Sequence, residues 1–440
     1  MCWKSFSLIS VLCFAVVGTQ AQTSAVPSSA PGSQSILSLT LADALARAKA
    51  NSPQFQVALM RLGLAREDRV QARAALLPGV DYNNAFAYTE GNHTATGVFI
   101  ANNGVHEYIS QGAVQQVLGV GQFADYRRTA AAQALARANA EIAARGLVVT
   151  VVRDYYGLEA AQVNVVSMQA ANDEAQRFLD ISRKFEQAGE VAHSDVIKAQ
   201  IQANDQQRAL QDAELAARNA RLNLAVLLFP NFFQDFTLAD DLGAAPPLPP
   251  IAEVQQLAGK NNPELQAAFA AMDVANHEVA VARAAHLPTL VLDYFYGIDA
   301  NQLATYNGDI RNLGYAATAT LNIPVWHWGA IESRVKQTEL QQHQAKVELS
   351  AAQRQAVADL QSFHGEAQTA RSQLDLLQSS VDLAVESMRL TNLRYRAGEA
   401  TALEVVDAQN TLTQARVNYC DGQIRYHVAI ANLQTLTGSF

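Results

Sequence analysis

The chain states one pattern twice, and that repetition limits what it can fold into. "YRAGEATALEVVDAQ" stands at 395–409, and "EQAGEVAHSDVIKAQ" stands at 186–200, about 210 residues earlier. Aligned without a gap, the two share Ala-Gly-Glu near the start and Ala-Gln at the end, with an acid at Asp195 and at Glu404. A second pair of blocks keeps the same order. "SPQFQVALMRLGLAREDRVQARAALLPGVDY" starts at Ser52 and "NPELQAAFAAMDVANHEVAVARAAHLPTLVL" at Asn262. Pro53 matches Pro263, and "ARAALLP" at 72–78 matches "ARAAHLP" at 282–288. Two matched blocks, in order and at nearly one offset, make the chain an internal duplication. The halves span 41–229 and 251–440. The stretch 230–250 joins them and ends in the proline-rich "LGAAPPLPP".

Each half predicts the same series of elements. A helix covers roughly 41–75 and 251–286, stopped by Pro78 and Pro288. A β-hairpin follows at about 79–119 and 289–324. In "GVDYNNAFAY", Val80, Tyr82, Phe86 and Tyr88 share one face while Asp81, Asn83, Ala85 and Ala87 take the other. Leu290, Leu292, Tyr294 and Tyr296 share a face in the second half, as do Leu313, Tyr315, Ala317, Ala319, Leu321 and Ile323. The stretch 106–119 alternates poorly, but its place in the repeat makes it a strand. Residues 91–104 and 298–310 read as loops.

Long proline-free stretches come next, at about 122–229 and 327–437, each interrupted by one glycine, Gly189 or Gly398. Leu374, Leu377, Val381, Ala384 and Met388 recur at three-and-four spacing and mark a helical seam. Some 60 residues of helix reach roughly 90 Å, far more than a globular core needs, so the expectation is a rod. The strands carry tyrosine on their apolar faces, as a bilayer interface favours. Two hairpins supply only four strands, whereas a membrane barrel needs about eight. Such strands close only if several chains contribute.

The N-terminus reads as a secretory signal peptide over 1–21: Lys4, then the short apolar run "LISVLCFAVV", then a small residue at Ala21. The run falls short of the roughly 20 residues of a spanning helix. Cys13 follows Leu12, where a lipoprotein signal requires a small residue, so no lipid anchor is expected. Residues 22–40 read as a linker. Loss of the leader takes the net charge from −9 to about −10, which argues against a nucleic-acid partner. Cys420 is then the only cysteine left, so no intrachain disulfide forms.

No catalytic constellation emerges. The nine histidines show no helical pair at metal-ligand spacing. Neither a GxxxxGK phosphate loop nor a GxSxG elbow occurs. "NHT" at 92–94 matches a glycosylation pattern and reads as coincidence in a loop. Trp326 and Trp328 flank His327 where strand meets helix, and they suit either an interfacial anchor or core packing. The sequence therefore indicates neither enzyme nor cofactor. Two classes of reading stand: a passive membrane conduit, and a periplasmic coiled-coil adaptor or scaffold.

With these blocks in view, the chain resembles the TolC-like outer-membrane efflux proteins, the outer membrane factors, from about Leu39 to Gly438. The resemblance is carried by the paired "NSP…LP" and "NNP…LP" blocks, "LNIPVWHWG" at 321–329, the two "AGE" tips with "DVIKAQ" and "EVVDAQ" after them, and the closing "ARLNLAVLLF" and "VAIANLQTLTG". It implies a homotrimer in the outer membrane. Four strands per chain would form a twelve-stranded barrel, continued by a helical barrel into the periplasm. It also implies an exit duct for efflux or type I secretion, driven by an inner-membrane pump through a periplasmic adaptor.

Gly189, Glu190, Gly398 and Glu399 would then sit at tips where the adaptor docks. An ordinary hairpin turn would need the same glycines for positive φ. Glu404 and Asp407 are three apart and share a helical face. The resemblance implies that they line the narrowest point, with Asp195 and Ser194 joining from the first half. Lys198 stands where a second acid would fall. Rings of acids select for cations. Without the resemblance, a solvated helix face would account for the same charges.

Overall fold

The computed structural model describes residues 37–88, 106–239, 242 and 246–438. The leader 1–21, linker residues 22–36, the loop 91–104 and its "NHT" triplet lie outside the described residues. In the first half a short strand β1 (Leu37–Leu39) precedes helices α1 (Leu41–Asn51) and α2 (Pro53–Ala74). Strands β2 (Gly79–Tyr88) and β3 (His106–Leu118) follow, then helices α3 (Val120–Gln187) and α4 (His193–Leu228). Strand β4 (Phe236–Leu238) lies between the halves. The second half holds α5 (Ile251–Asn261), α6 (Pro263–Ala284), β5 (Thr289–Ala300), β6 (Tyr306–Asn307), β7 (Ile310–Arg311), β8 (Leu313–Asn322), α7 (Ala330–Arg396) and α8 (Ala402–Thr437).

The single opening helix expected in each half is in fact two. Ser52 and Asn262 are extended, at ψ 118 and ψ 116, because a proline follows each and excludes the helical region. Each then caps the next helix. Ser52 Oγ accepts from the Phe55 N–H at 3.5 Å, and Asn262 Oδ1 from Glu264 and Leu265 at 2.9 and 3.1 Å. The prolines at 53 and 263 occupy the first helical position, where a missing N–H costs nothing. The second helices end at Ala74 and Ala284, ahead of Pro78 and Pro288.

The stretches expected to be linkers are partly folded. β1 and β4 pair in parallel, Leu37 opposite Phe236. Leu39 and Phe236 are buried beside Val151, Tyr155 and Leu158 of α3 and Leu224 and Leu228 of α4. The Tyr155 hydroxyl donates to Leu39 O at 2.8 Å. In the other half the Tyr426 hydroxyl donates to Pro246 O at 2.6 Å and so fixes the proline-rich stretch to α8.

Helices α3 and α7 run for 68 and 67 residues, roughly 100 Å each. Each folds back on a 36-residue partner, α4 or α8. Along the seam on α7, Leu374, Ala384 and Met388 are buried while Leu377 and Val381 are half-covered. Among the described residues no helix is long and apolar enough to cross a membrane.

The strands form one antiparallel sheet in the order β2-β3-β5-β8. β5 runs on through Ile298–Ala300, and β6 and β7 make a small hairpin, so 298–310 is not simply a loop. The register sorts side chains by chemistry. Tyr82, Gly112, Tyr296 and Tyr315 lie in one row, and Val80, Val114, Tyr294 and Ala317 in the next. On that face no strand position carries Asp, Glu, Lys or Arg. Asp81, Glu107, Asp293 and Asp299 all fall on the other. β2 and β8, the outer strands, each pair on one side only.

Candidate functional site

At the far ends of the long helices the chain reverses twice by the same device. Gly189 and Gly398 adopt φ 76 and φ 75, a left-handed conformation open to glycine without steric cost. The Glu190 N–H donates to Phe185 O at 2.8 Å and the Glu399 N–H to Arg394 O at 2.9 Å. These bonds satisfy carbonyls that the ending helix leaves open. All four tip residues, Gly189, Glu190, Gly398 and Glu399, are exposed.

Beyond the turn the tips differ. In the second, Thr401 and Glu404 form a reciprocal cap. The Thr401 N–H donates to Glu404 Oε1 at 3.1 Å, and the Glu404 N–H to Thr401 Oγ1 at 3.3 Å. Arg394 Nη1 lies 3.2 Å from Glu404 Oε2, and its Nη2 donates to Glu399 O at 3.1 Å. Arg394 thus sits at the C-terminal end of α7 and Glu404 at the N-terminal end of α8, each where the helix dipole favours its charge. The hydrogen bond from the Thr401 backbone, then its hydroxyl and the Arg394 charge, hold the Glu404 carboxyl below the usual carboxylate range.

The first tip has Ala192 at the cap position and no side-chain cap. There His193 Nδ1 and Glu186 Oε1, 2.6 Å apart, tie the turn together. Asp195 faces Lys198 at 3.3 Å, and Ser194 is exposed. Asp407 is exposed, and its carboxylate has no hydrogen-bonding or ionic partner among the described residues. The acids singled out from the sequence are therefore unlike one another. Glu404 and Asp195 carry their own counter-ions, and Asp407 does not.

The two hairpins are packed together just behind the tips. Phe178, Val196, Ala199, Met388, Tyr395 and Val405 share one apolar cluster. Polar contacts cross it. Ser182 Oγ and Tyr395 OH are 2.9 Å apart in a buried setting. Asn392 Nδ2 donates to Glu174 Oε1, and Gln202 Nε2 to Asn410 Oδ1, each at 3.1 Å. Sequence reasoning missed Arg394, Tyr395, Ser182, His193 and Gln202. Only the cap left a readable signal, in Thr401-x-x-Glu404.

At the opposite end, Trp326 and Trp328 are 70% and 88% exposed, with their rings edge to face at 5.8 Å. A core-packing role within the chain is excluded. Among the described residues no group of three or more His, Cys, Asp or Glu is placed to hold a metal ion.

A family model described as "Outer membrane efflux protein" matches residues 44–228 and 254–439, one block per half. Outer membrane protein TolC of Vibrio cholerae is 24% identical over 416 residues, covering 92% of each chain. The alkaline protease secretion protein AprF of Pseudomonas aeruginosa is 24% identical over 408 residues, 91% of this chain and 84% of that one. Among solved structures, the CmeC outer membrane channel of Campylobacter jejuni superposes with a TM-score of 0.78 at 19% identity, covering 90% of this chain and 85% of that one.

Proposed function

Because this chain belongs to the outer membrane efflux protein family and is an export channel of the outer membrane, we propose that three copies close one continuous duct. The observation that carries the reading is the four-stranded sheet. One face is uncharged and rich in tyrosine, the other holds every strand carboxylate, and both edges are open. An uncharged face suits lipid and a charged one suits water. Four strands do not close a barrel, but twelve do, with β8 of one copy pairing with β2 of the next. A periplasmic adaptor or scaffold has no use for the uncharged face, which water would penalise.

In this reading the paired helices line a periplasmic tunnel. The exposed Gly189–Glu190 and Gly398–Glu399 tips meet a periplasmic adaptor, which joins the duct to an inner-membrane pump. The chain itself passes cargo without driving it. The narrow end is guarded by Asp407 above all. Glu404, Asp195 and Ser194 stand near it, but the two acids have neighbouring cations. Mass measurement in detergent tests the assembly, together with single-channel recording in planar bilayers. Three chains per particle and a steady conductance are expected. A monomer without pore activity would overturn the proposal.

A further inference from the structure

The groove between α2 and α3 gathers positive charge. Arg66, Arg69 and Arg73 keep three-and-four spacing and so share a face of α2, whereas Glu67 and Asp68 fall outside that spacing. With Val70, Tyr126 and Gln133 the arginines line one open cleft of about 270 Å³. Arg69 is fixed in it. Its Nη1 donates to Gln133 Oε1 at 3.1 Å and its Nη2 to the Tyr126 hydroxyl at 3.2 Å. That hydrogen bond and the Arg69 charge, with a further push from Arg73, hold the Tyr126 hydroxyl below its ordinary pKa. Among the described residues none of the three arginines pairs with a carboxylate.

The second half is the internal comparison. In the repeat, Arg66, Arg69 and Arg73 align with Asn276, Val279 and Arg283. There Val279 is buried, Asn276 Oδ1 accepts from Gln342 at 2.8 Å, and Arg283 Nη2 lies 2.9 Å from Glu339 Oε1. The second groove thus satisfies its own polar groups, and the first does not. Three guanidinium groups on one cleft repel each other, and an anion between them offsets that cost. Their planar forks match the oxygens of a phosphate.

Height decides which phosphate. α2 ends at Ala74, shortly before β2, and α3 begins at Val120, directly after β3. At 1.5 Å per residue the arginines lie roughly 2–12 Å from the top of α2, and Tyr126 about 9 Å from the top of α3. Every strand end on this side carries exposed apolar residues: Leu77 before β2, Phe123 after β3, Leu287 before β5, and Val325, Trp326 and Trp328 after β8. Exposed tryptophan at such a collar marks a membrane–water interface. The headgroup layer beyond the hydrocarbon is roughly 5–8 Å deep on each side, so it overlaps the cleft. From the unbalanced charge and this height we infer that the cleft seats the phosphate of an anionic phospholipid of the periplasmic leaflet. The inference rests on the membrane-spanning trimer proposed above, which carries three such clefts. A headgroup held there fixes how deep the duct sits in the bilayer.

The test is native mass spectrometry of the full-length channel in detergent. Phosphatidylglycerol, phosphatidylcholine and inorganic phosphate are titrated in parallel. Up to three phosphatidylglycerol molecules are expected to stay on each trimer, in preference to phosphatidylcholine and at concentrations where inorganic phosphate does not displace them. Arg66→Gln, Arg69→Gln and Arg73→Gln together are expected to weaken retention about 100-fold, at roughly fivefold per arginine. Arg66→Gln alone, expected to cost roughly fivefold, serves if the triple change impairs assembly. Arg283→Gln, in the groove with its own acid, is expected to leave retention unchanged. Equal retention of the two lipids overturns the inference and leaves the conduit intact. So does retention that the arginine changes do not move. Displacement by inorganic phosphate at equal concentration makes the cleft a free-anion site and overturns its assignment to lipid. A preparation that forms neither trimer nor pore overturns the conduit and this inference with it.

Discussion

The hydroxyls of Ser182 and Tyr395 lie 2.9 Å apart although 213 residues separate them in the chain. They meet where the two helical hairpins pack behind the tips, and Ser182 is fully buried there. Tyr395 also sets its ring against Phe178, with centroids 5.0 Å apart.

Tyr395→Phe keeps the ring packing and strands the Ser182 hydroxyl in a dry seam. An unpaired buried hydroxyl costs about 1–3 kcal/mol. The variant is expected to melt at a lower temperature than the parent. Adding Ser182→Ala removes the stranded group, so the double variant is expected to recover part of the loss. A melting curve of each in detergent checks this, and no recovery in the double variant would refute the pairing.

Glu404 makes tip stability depend on pH. Its folded-state pKa is depressed by the Thr401 hydrogen bonds and Arg394. Stability from this group is complete above the unfolded value, about 4.3, and is lost as pH falls through the folded value. Hydrogen exchange at the 398–404 turn, followed on descent from pH 6, reads it out. The parent is expected to lose protection in the acid limb, and Glu404→Gln is expected to show a flatter profile.

Asp407 and Glu404 are expected to contribute unequally to ion flow. Arg394 offsets Glu404, at 3.2 Å, while Asp407 has no such neighbour among the described residues. Asp407→Asn is therefore expected to reduce divalent block and cation selectivity more than Glu404→Gln. Current–voltage curves with and without divalent cations decide it. Equal effects would show that Arg394 does not neutralise Glu404 in the assembled channel.

Much of this architecture was legible in the sequence, for identifiable reasons. Gly189 and Gly398 stood alone in long proline-free stretches, and the alternation of Val80, Tyr82, Phe86 and Tyr88 has a period that only a strand satisfies. The helix breaks at Ser52 and Asn262 were missed because apolar periodicity continues across them. The proline after each was the signal. β5 was cut short because Gly297 and Asp299 read as loop residues, whereas pairing to Gln111 and Ile109 holds them in the sheet. At the tips, the acids could be found by repetition, but their neutralisation by Arg394 and Lys198 depends on side-chain geometry. The Ser182–Tyr395 contact joins separate halves, and no local pattern encodes it.

Gly297 allows the two hairpins to join. A Cβ there would fall 2.3 Å from Ser110 O and 2.4 Å from Gln111 Cα, both backbone atoms of β3. Gly297→Ala is expected to cost roughly 1–3 kcal/mol in strain and to lower the yield of assembled channel. Gly314, paired with it on β8, has nothing within 4 Å of a built Cβ, so Gly314→Ala is the control and is expected to assemble normally. Heat-modifiable mobility on a gel separates the two.

The open rims of β2 and β8 have a consequence for how the protein is made. Neither strand carries proline or lysine, the residues that commonly guard an exposed edge against unwanted pairing. A newly exported subunit is therefore adhesive on both flanks until it meets two siblings. Biogenesis then becomes a race between correct closure and clumping, with neither guard residue in the strands themselves to slow the second.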